Sequence, residues 1–190
     1  MRSDQNDIKM GFIGSMKYFG IMIVATFLTF FFHEMSHWIA YGLLGYDAGF
    51  TLNGASLKDS SIVLSNTHRV ITSASGPLFT IIQAIIFYFI LLKYKSKMLY
   101  PFLFLPFLMR LGASWANRFE PNDEGRISLI LGWNLYTLSA IVVTSLLILV
   151  FQVSRKNKFS LIFNIVTFVV SAILMFGLVY LNMKLKIRFV

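Results

Sequence analysis

His33, Glu34 and His37 form an H-E-x-x-H pattern within the run Tyr18–Leu44, where Glu34 is the only charged residue. On a helix, imidazoles four residues apart share one face. They can converge on a single zinc ion while the carboxylate between them serves as base towards a water molecule. With three His and three Glu in 190 residues, chance produces the pattern about once in a thousand such chains. The plain alternative is a pair of core histidines hydrogen-bonded to neighbouring helices. Three ionisable groups in one apolar helix are an expensive way to achieve packing alone. The spacing therefore points to metal-assisted hydrolysis in, or at the edge of, a lipid bilayer.

Two histidines are one ligand short, because catalytic zinc sites generally use three protein ligands and leave a position for water. The chain has no cysteine, so the third must come from His, Asp or Glu. His68, beside Arg69, reads as a lone interfacial residue. Asp47 and Asp59 lie in a glycine-bearing connector where turn roles are ordinary. That leaves Glu120, Asp123 and Glu124, which stand together ahead of a later apolar run; the residues themselves do not choose among the three.

The elements that must position these groups are membrane-spanning. Hydrophobic residues make up 57% of the chain, charged residues 13%, and mean hydropathy is +0.72. A soluble domain of this length could not bury so much apolar surface. Five apolar runs, about 18–44, 70–92, 98–117, 127–151 and 159–183, each reach the roughly 20 residues needed to cross the hydrocarbon. The first is too long for a signal-peptide core and lacks a small-x-small cleavage site, so it is expected to remain as a spanning helix. Ser75-Gly76-Pro77 is expected to open or kink the second. The third holds Pro101, Pro106 and Arg110 and is expected to end irregularly before Asp123. Between the first two runs, Gly45, Gly49, Asn53 and Gly54 break helix, and Phe50 and Leu52 alternate with small or polar residues. This predicts a re-entrant segment or β-hairpin, with Ile62-Val63-Leu64 as a further β-prone stretch. The net charge of +9 comes from lysines and arginines gathered mainly between apolar runs. That placement suits anionic lipid headgroups rather than nucleic acid. Counted by flank, the cations split nine to seven in favour of the N-terminal side, a weak lean towards a cytoplasmic N-terminus.

At this point the chain resembles the site-2 protease family of intramembrane zinc peptidases. That family carries H-E-x-x-H in one spanning helix, a G-P element opening the next, and later a stretch like N-x-x-P-x-x-P-L-D-G-G-R. The matching residues are His33-Glu34-x-x-His37, Gly76-Pro77, and Asn117 followed by Pro121-Asn122-Asp123-Glu124-Gly125-Arg126-Ile127. The likeness covers about residues 18–135. It implies Asp123 as third zinc ligand, Asn117 as a group stabilising developing negative charge, and a hairpin whose edge strand holds extended substrate. The departures are a shorter Asn117–Asp123 segment, Glu124 in place of a glycine, and Thr80 where the family usually has Asn. No PDZ or nucleotide-sensing domain accompanies the core.

The expected molecule is thus an all-α integral membrane protein, one domain over 1–190, with about five transmembrane helices and a short hairpin after the first. Its expected activity is zinc-dependent hydrolysis of single-pass membrane proteins or membrane-bound peptides, in a bacterial cytoplasmic (inner) membrane. Metal would be held by His33, His37 and Asp123, with Glu34 and Asn117 as catalytic groups. The rival readings are a zinc hydrolase acting on a lipid or another amide, and a non-enzymatic membrane-binding or transport protein.

Overall fold

The computed structural model describes residues 11–185 and 187–190. Of the flanking cations, Arg2, Lys9 and Lys186 lie outside these residues. The chain runs through α1 (Phe12–Leu43), β1 (Ala48–Thr51), β2 (Gly54–Leu57), α2 (Asn66–Lys93), a 3-10 turn (Lys97–Leu99), α3 (Tyr100–Ala116), α4 (Asp123–Ile130), α5 (Thr137–Lys156) and α6 (Leu161–Leu185). Among the described residues, five helices are long and apolar enough to cross a membrane; α4 is not one of them. Their many exposed large apolar side chains, such as Phe89, Ile173 and Phe176, suit contact with lipid tails rather than water.

Local chemistry explains the boundaries. α1 stops where Gly45 takes φ +82°, a left-handed conformation that suits glycine. α2 begins at a capping Ser65, whose hydroxyl accepts the His68 N–H. Pro77 therefore does not open α2 but sits inside it. The expected fourth run at 127–151 is likewise divided. Its first residues belong to α4, and Gly132 at φ +74° breaks the helix. Asn134 then accepts the Tyr136 N–H through its side chain before α5 starts. Ile62–Leu64, expected as a further β-prone stretch, forms no strand.

The helices alternate in direction, so each end of the bundle collects particular loops. Asn157, after α5, donates to the Leu91 carbonyl near the end of α2, which places those two connectors together. The main apolar core fills this half of the bundle, around Tyr18, Leu91, Tyr100, Leu103, Val150 and Phe163. Tyr18 is hydrogen-bonded to Thr167, joining α1 to α6. The opposite half carries the hairpin. β1 and β2 pair antiparallel, Ala48 opposite Leu57 and Thr51 opposite Gly54. The hairpin is fixed to α1 by the Trp38 indole N–H on the Ala48 carbonyl, and to α6 by Asn53 on the Val179 carbonyl. On the outer edge of β1, the Phe50 carbonyl accepts the main-chain N–H of Phe189, whose ring stacks on Phe50.

Candidate metal centre

His33 and His37 lie on the buried face of α1 in the hairpin half of the bundle. α2 crosses them at Gly76. A β-carbon at that position would stand 2.7 Å from His33 Nδ1 and nearer still to His37 Nε2 and His33 Cε1. Only glycine lets the helices approach this closely, and the approach fixes the rings. His37 Nδ1 sits 2.6 Å from the Thr72 carbonyl oxygen, 35 residues away. A carbonyl only accepts, so Nδ1 carries the proton and Nε2 presents its lone pair.

Asp123 completes the group from the first residue of α4. Its Oδ2 lies 3.4 Å from His33 Nε2 and 3.5 Å from His37 Nε2, and the two Nε2 atoms are 3.2 Å apart. Donors bound at about 2.0–2.2 Å around a tetrahedral ion stand roughly 3.3–3.6 Å from one another. The three edges match that spacing to within about 0.1 Å. Two further observations fit a cation. His37 Nε2 and Asp123 Oδ2 are two acceptors facing each other at 3.5 Å, which is favourable only with a proton or a metal between them. Around them, the carboxylates of Glu34, Asp123 and Glu124 outnumber the two cations beside them, buried Arg110 and half-exposed Arg126, an excess of negative charge that a bound cation would offset. Burial raises the pKa of Asp123, but the adjoining imidazoles outweigh it and hold the carboxyl well below the usual carboxylate range. Two imidazoles and a carboxylate, all hard or borderline, suit zinc.

Glu34, one residue from His33, is buried yet makes no hydrogen bond among the described residues. It lines a cavity of about 810 Å³ together with His33, His37, Asp123 and Arg110. The remaining walls come from the hairpin tip, the end of α3 and one side of α6.

Comparison with protein-family models, with curated proteins and with solved structures finds no match for this chain. The site is therefore read from its own geometry.

Four of the expected site residues, His33, Glu34, His37 and Asp123, meet at this cavity. The fifth, Asn117, does not line it. Its Oδ1 accepts the Asn122 N–H at 2.7 Å and its Nδ2 donates to Ser139 at 3.1 Å. Gly125 passes so close that a β-carbon there would stand 2.6 Å from Asn117 Oδ1. Asn117 thus holds the start of α4 and, through it, Asp123. Of the other carboxylates, Glu120 is exposed and Glu124 turns to Arg110, so Asp123 alone joins the histidines. Thr80 is buried with its hydroxyl on the Pro77 carbonyl and does not face the cavity. His68 pairs with the Tyr46 hydroxyl at 2.7 Å. Asp47 pairs with Lys58, and Asp59 caps the Ser61 turn.

Sequence reasoning missed Arg110. Its guanidinium, only 2% exposed, places Nη1 3.2 Å from Glu124 Oε1 and 3.3 Å from Asp123 Oδ2, and Nη2 3.3 Å from His33 Nε2. The signal was present: of the 17 lysines and arginines, Arg110 alone lies inside an apolar run. An ionisable group at that depth marks function by default.

Proposed function

We propose that this chain is an intramembrane zinc peptidase that cleaves membrane-embedded polypeptide within the cavity bounded by α1, α3, α4, α6 and the hairpin. The observation that carries the reading is the triangle of His33 Nε2, His37 Nε2 and Asp123 Oδ2, with edges of 3.2–3.5 Å and an unpartnered Glu34 carboxylate beside it. The resemblance to site-2 proteases in the order of H-E-x-x-H, Gly76-Pro77 and Asp123 points the same way.

The chain's own residues divide the work. His33, His37 and Asp123 would hold zinc, which when bound polarises a carbonyl and makes a neighbouring water more acidic. Glu34 takes a proton from that water as it attacks and returns it to the departing amine nitrogen. Thr72 keeps His37 in one tautomer, and Asn117 keeps α4 at the distance that Asp123 needs. The largely apolar cavity walls, among them Phe30, Leu108, Met109 and Met175, receive side chains of a membrane segment. A polypeptide rather than a lipid is favoured by the edge of β1. There Phe50 already accepts the main-chain N–H of Phe189, the kind of bond by which sheet edges hold peptide strands.

The test is metal analysis and cleavage together. Purified protein in lipid nanodiscs should contain about one zinc per chain. It should cut a single-pass reporter within or beside its spanning helix, and stop when the metal is chelated. Iron in place of zinc would overturn the metal assignment, and chelator-sensitive release of fatty acid without peptide cleavage would overturn the peptidase reading.

A further inference from the structure

The hydrolysis proposed above generates negative charge on the carbonyl oxygen, and neither Asn117, expected to meet it, nor Thr80, which stands where the family usually has Asn, is placed to do so. Thr80 is engaged with Pro77, and Asn117 lies behind α4. Arg110 does face the site. Its two terminal nitrogens straddle the edge between His33 Nε2 and Asp123 Oδ2, each 3.3 Å from its neighbour. Glu124, itself 2% exposed, grips Nη1 through both carboxylate oxygens at 3.2 and 3.4 Å. Nε is buried without any acceptor among the described residues. The His33 contact uses the same lone pair that a metal ion would take. Were a metal to take that lone pair, Nη2 as well as Nε would be a buried, charged donor at the cavity wall without a protein acceptor among the described residues. Such donors are costly unless a bound group satisfies them. Among the described residues, Arg126 is the only other cation on Asp123. It reaches Oδ1, away from the histidines, at 3.6 Å and is 41% exposed.

We propose that Arg110 is a catalytic residue of the same reaction, donating to the carbonyl oxygen of the scissile amide as it becomes an oxyanion, with Glu124 as its positioning residue. The water oxygen bonds to the carbonyl carbon, its proton passes to Glu34, and the carbonyl π pair moves onto oxygen beside the guanidinium. The pair returns as the C–N bond breaks, and the proton on Glu34 leaves with the amine. Preorganised donors of this kind act most strongly where water is excluded. The inference rests on the peptidase reading.

Three measurements on the full-length protein in nanodiscs test it: zinc content, kcat against KM, and binding of a peptidyl phosphinate, a stable mimic of the tetrahedral adduct. Arg110→Gln should keep about one zinc per chain and a KM near wild type. It should lose on the order of 10²-fold in kcat and bind the phosphinate weaker by a similar factor. Because Arg110→Gln leaves Glu124 buried and unpaired, the double variant Arg110→Met with Glu124→Leu, which removes both charges, is measured alongside. It should fold, hold zinc and show the same loss. Loss of zinc in the folded double variant would overturn the proposal and make Arg110 a support for the metal ligands. So would kcat and phosphinate affinity within a few-fold of wild type. A wild-type protein that binds zinc yet hydrolyses no peptide would instead overturn the peptidase reading, and this inference with it.

Discussion

Gly76→Ala should disrupt the metal centre although Gly76 contributes no ligand. The added methyl carbon would stand 2.7 Å from His33 Nδ1 and closer to two other ring atoms, where ordinary contact begins at 3.4 Å. At least about 0.7 Å of movement is therefore needed. The His37 ring has little freedom to provide it, since Nδ1 is held at 2.6 Å from Thr72 on the same helix as Gly76. Either α2 moves off α1 or the two Nε2 atoms leave their present spacing. Overpacking of this size costs about 1–3 kcal/mol, and disturbing the groups that orient metal ligands typically weakens metal binding 10–100-fold. Chelator competition on purified protein measures the affinity, and a thermal scan measures the stability. Gly20→Ala is the control: a β-carbon there meets nothing within 4 Å, so zinc affinity should stay at the wild-type value. A Gly76→Ala protein that binds zinc as tightly as wild type would refute the claim that this helix crossing sets the ligand geometry.

Other substitutions separate ligand from support. Asp123→Ala should abolish zinc binding, whereas Glu124→Ala should keep zinc in the folded fraction while losing about 3–5 kcal/mol for stranding Arg110; metal analysis with denaturation curves decides. Asn117→Asp retains an acceptor for the Asn122 N–H and should preserve zinc affinity better than Asn117→Leu, which leaves that N–H unpaired at a cost of about 1–3 kcal/mol. In this cysteine-free chain, single cysteines at Lys95 and Lys156 should be labelled from one face of the membrane and a cysteine at Asp59 from the other. Labelling of Lys95 and Lys156 positions from opposite faces would refute the helix order.

What could be read from the sequence was local. The i, i+4 spacing of His33 and His37 needs nothing beyond one helix, and five apolar runs announce five spans whatever their packing. The hairpin was legible from Gly45, Gly49 and Gly54 against Phe50 and Leu52. What escaped depends on partners far along the chain. Gly76 bears on the candidate site only because α2 meets α1 there, and a glycine by itself does not reveal which helix it meets. Arg110 and Glu124, 14 residues apart across a loop, form a pair only once α4 folds back against α3. The run at 127–151 reads as one span by hydropathy, which cannot register the positive φ at Gly132 or the Asn134 turn that divide it. Choosing Asp123 over Glu124 rested on resemblance. In the structure the two side chains point to different partners, Asp123 to the histidines and Glu124 to Arg110.

The most direct test of the account compares wild type with Glu34→Gln, each carrying measured zinc, on one single-pass reporter in nanodiscs. In the proposed reaction both proton transfers run through Glu34, which is not one of the three proposed metal donors. The account predicts about one zinc per chain in both proteins and cleavage by wild type. It predicts a Glu34→Gln rate lower by at least the roughly 10²-fold expected from losing a general base. Equal rates at equal zinc content would contradict it.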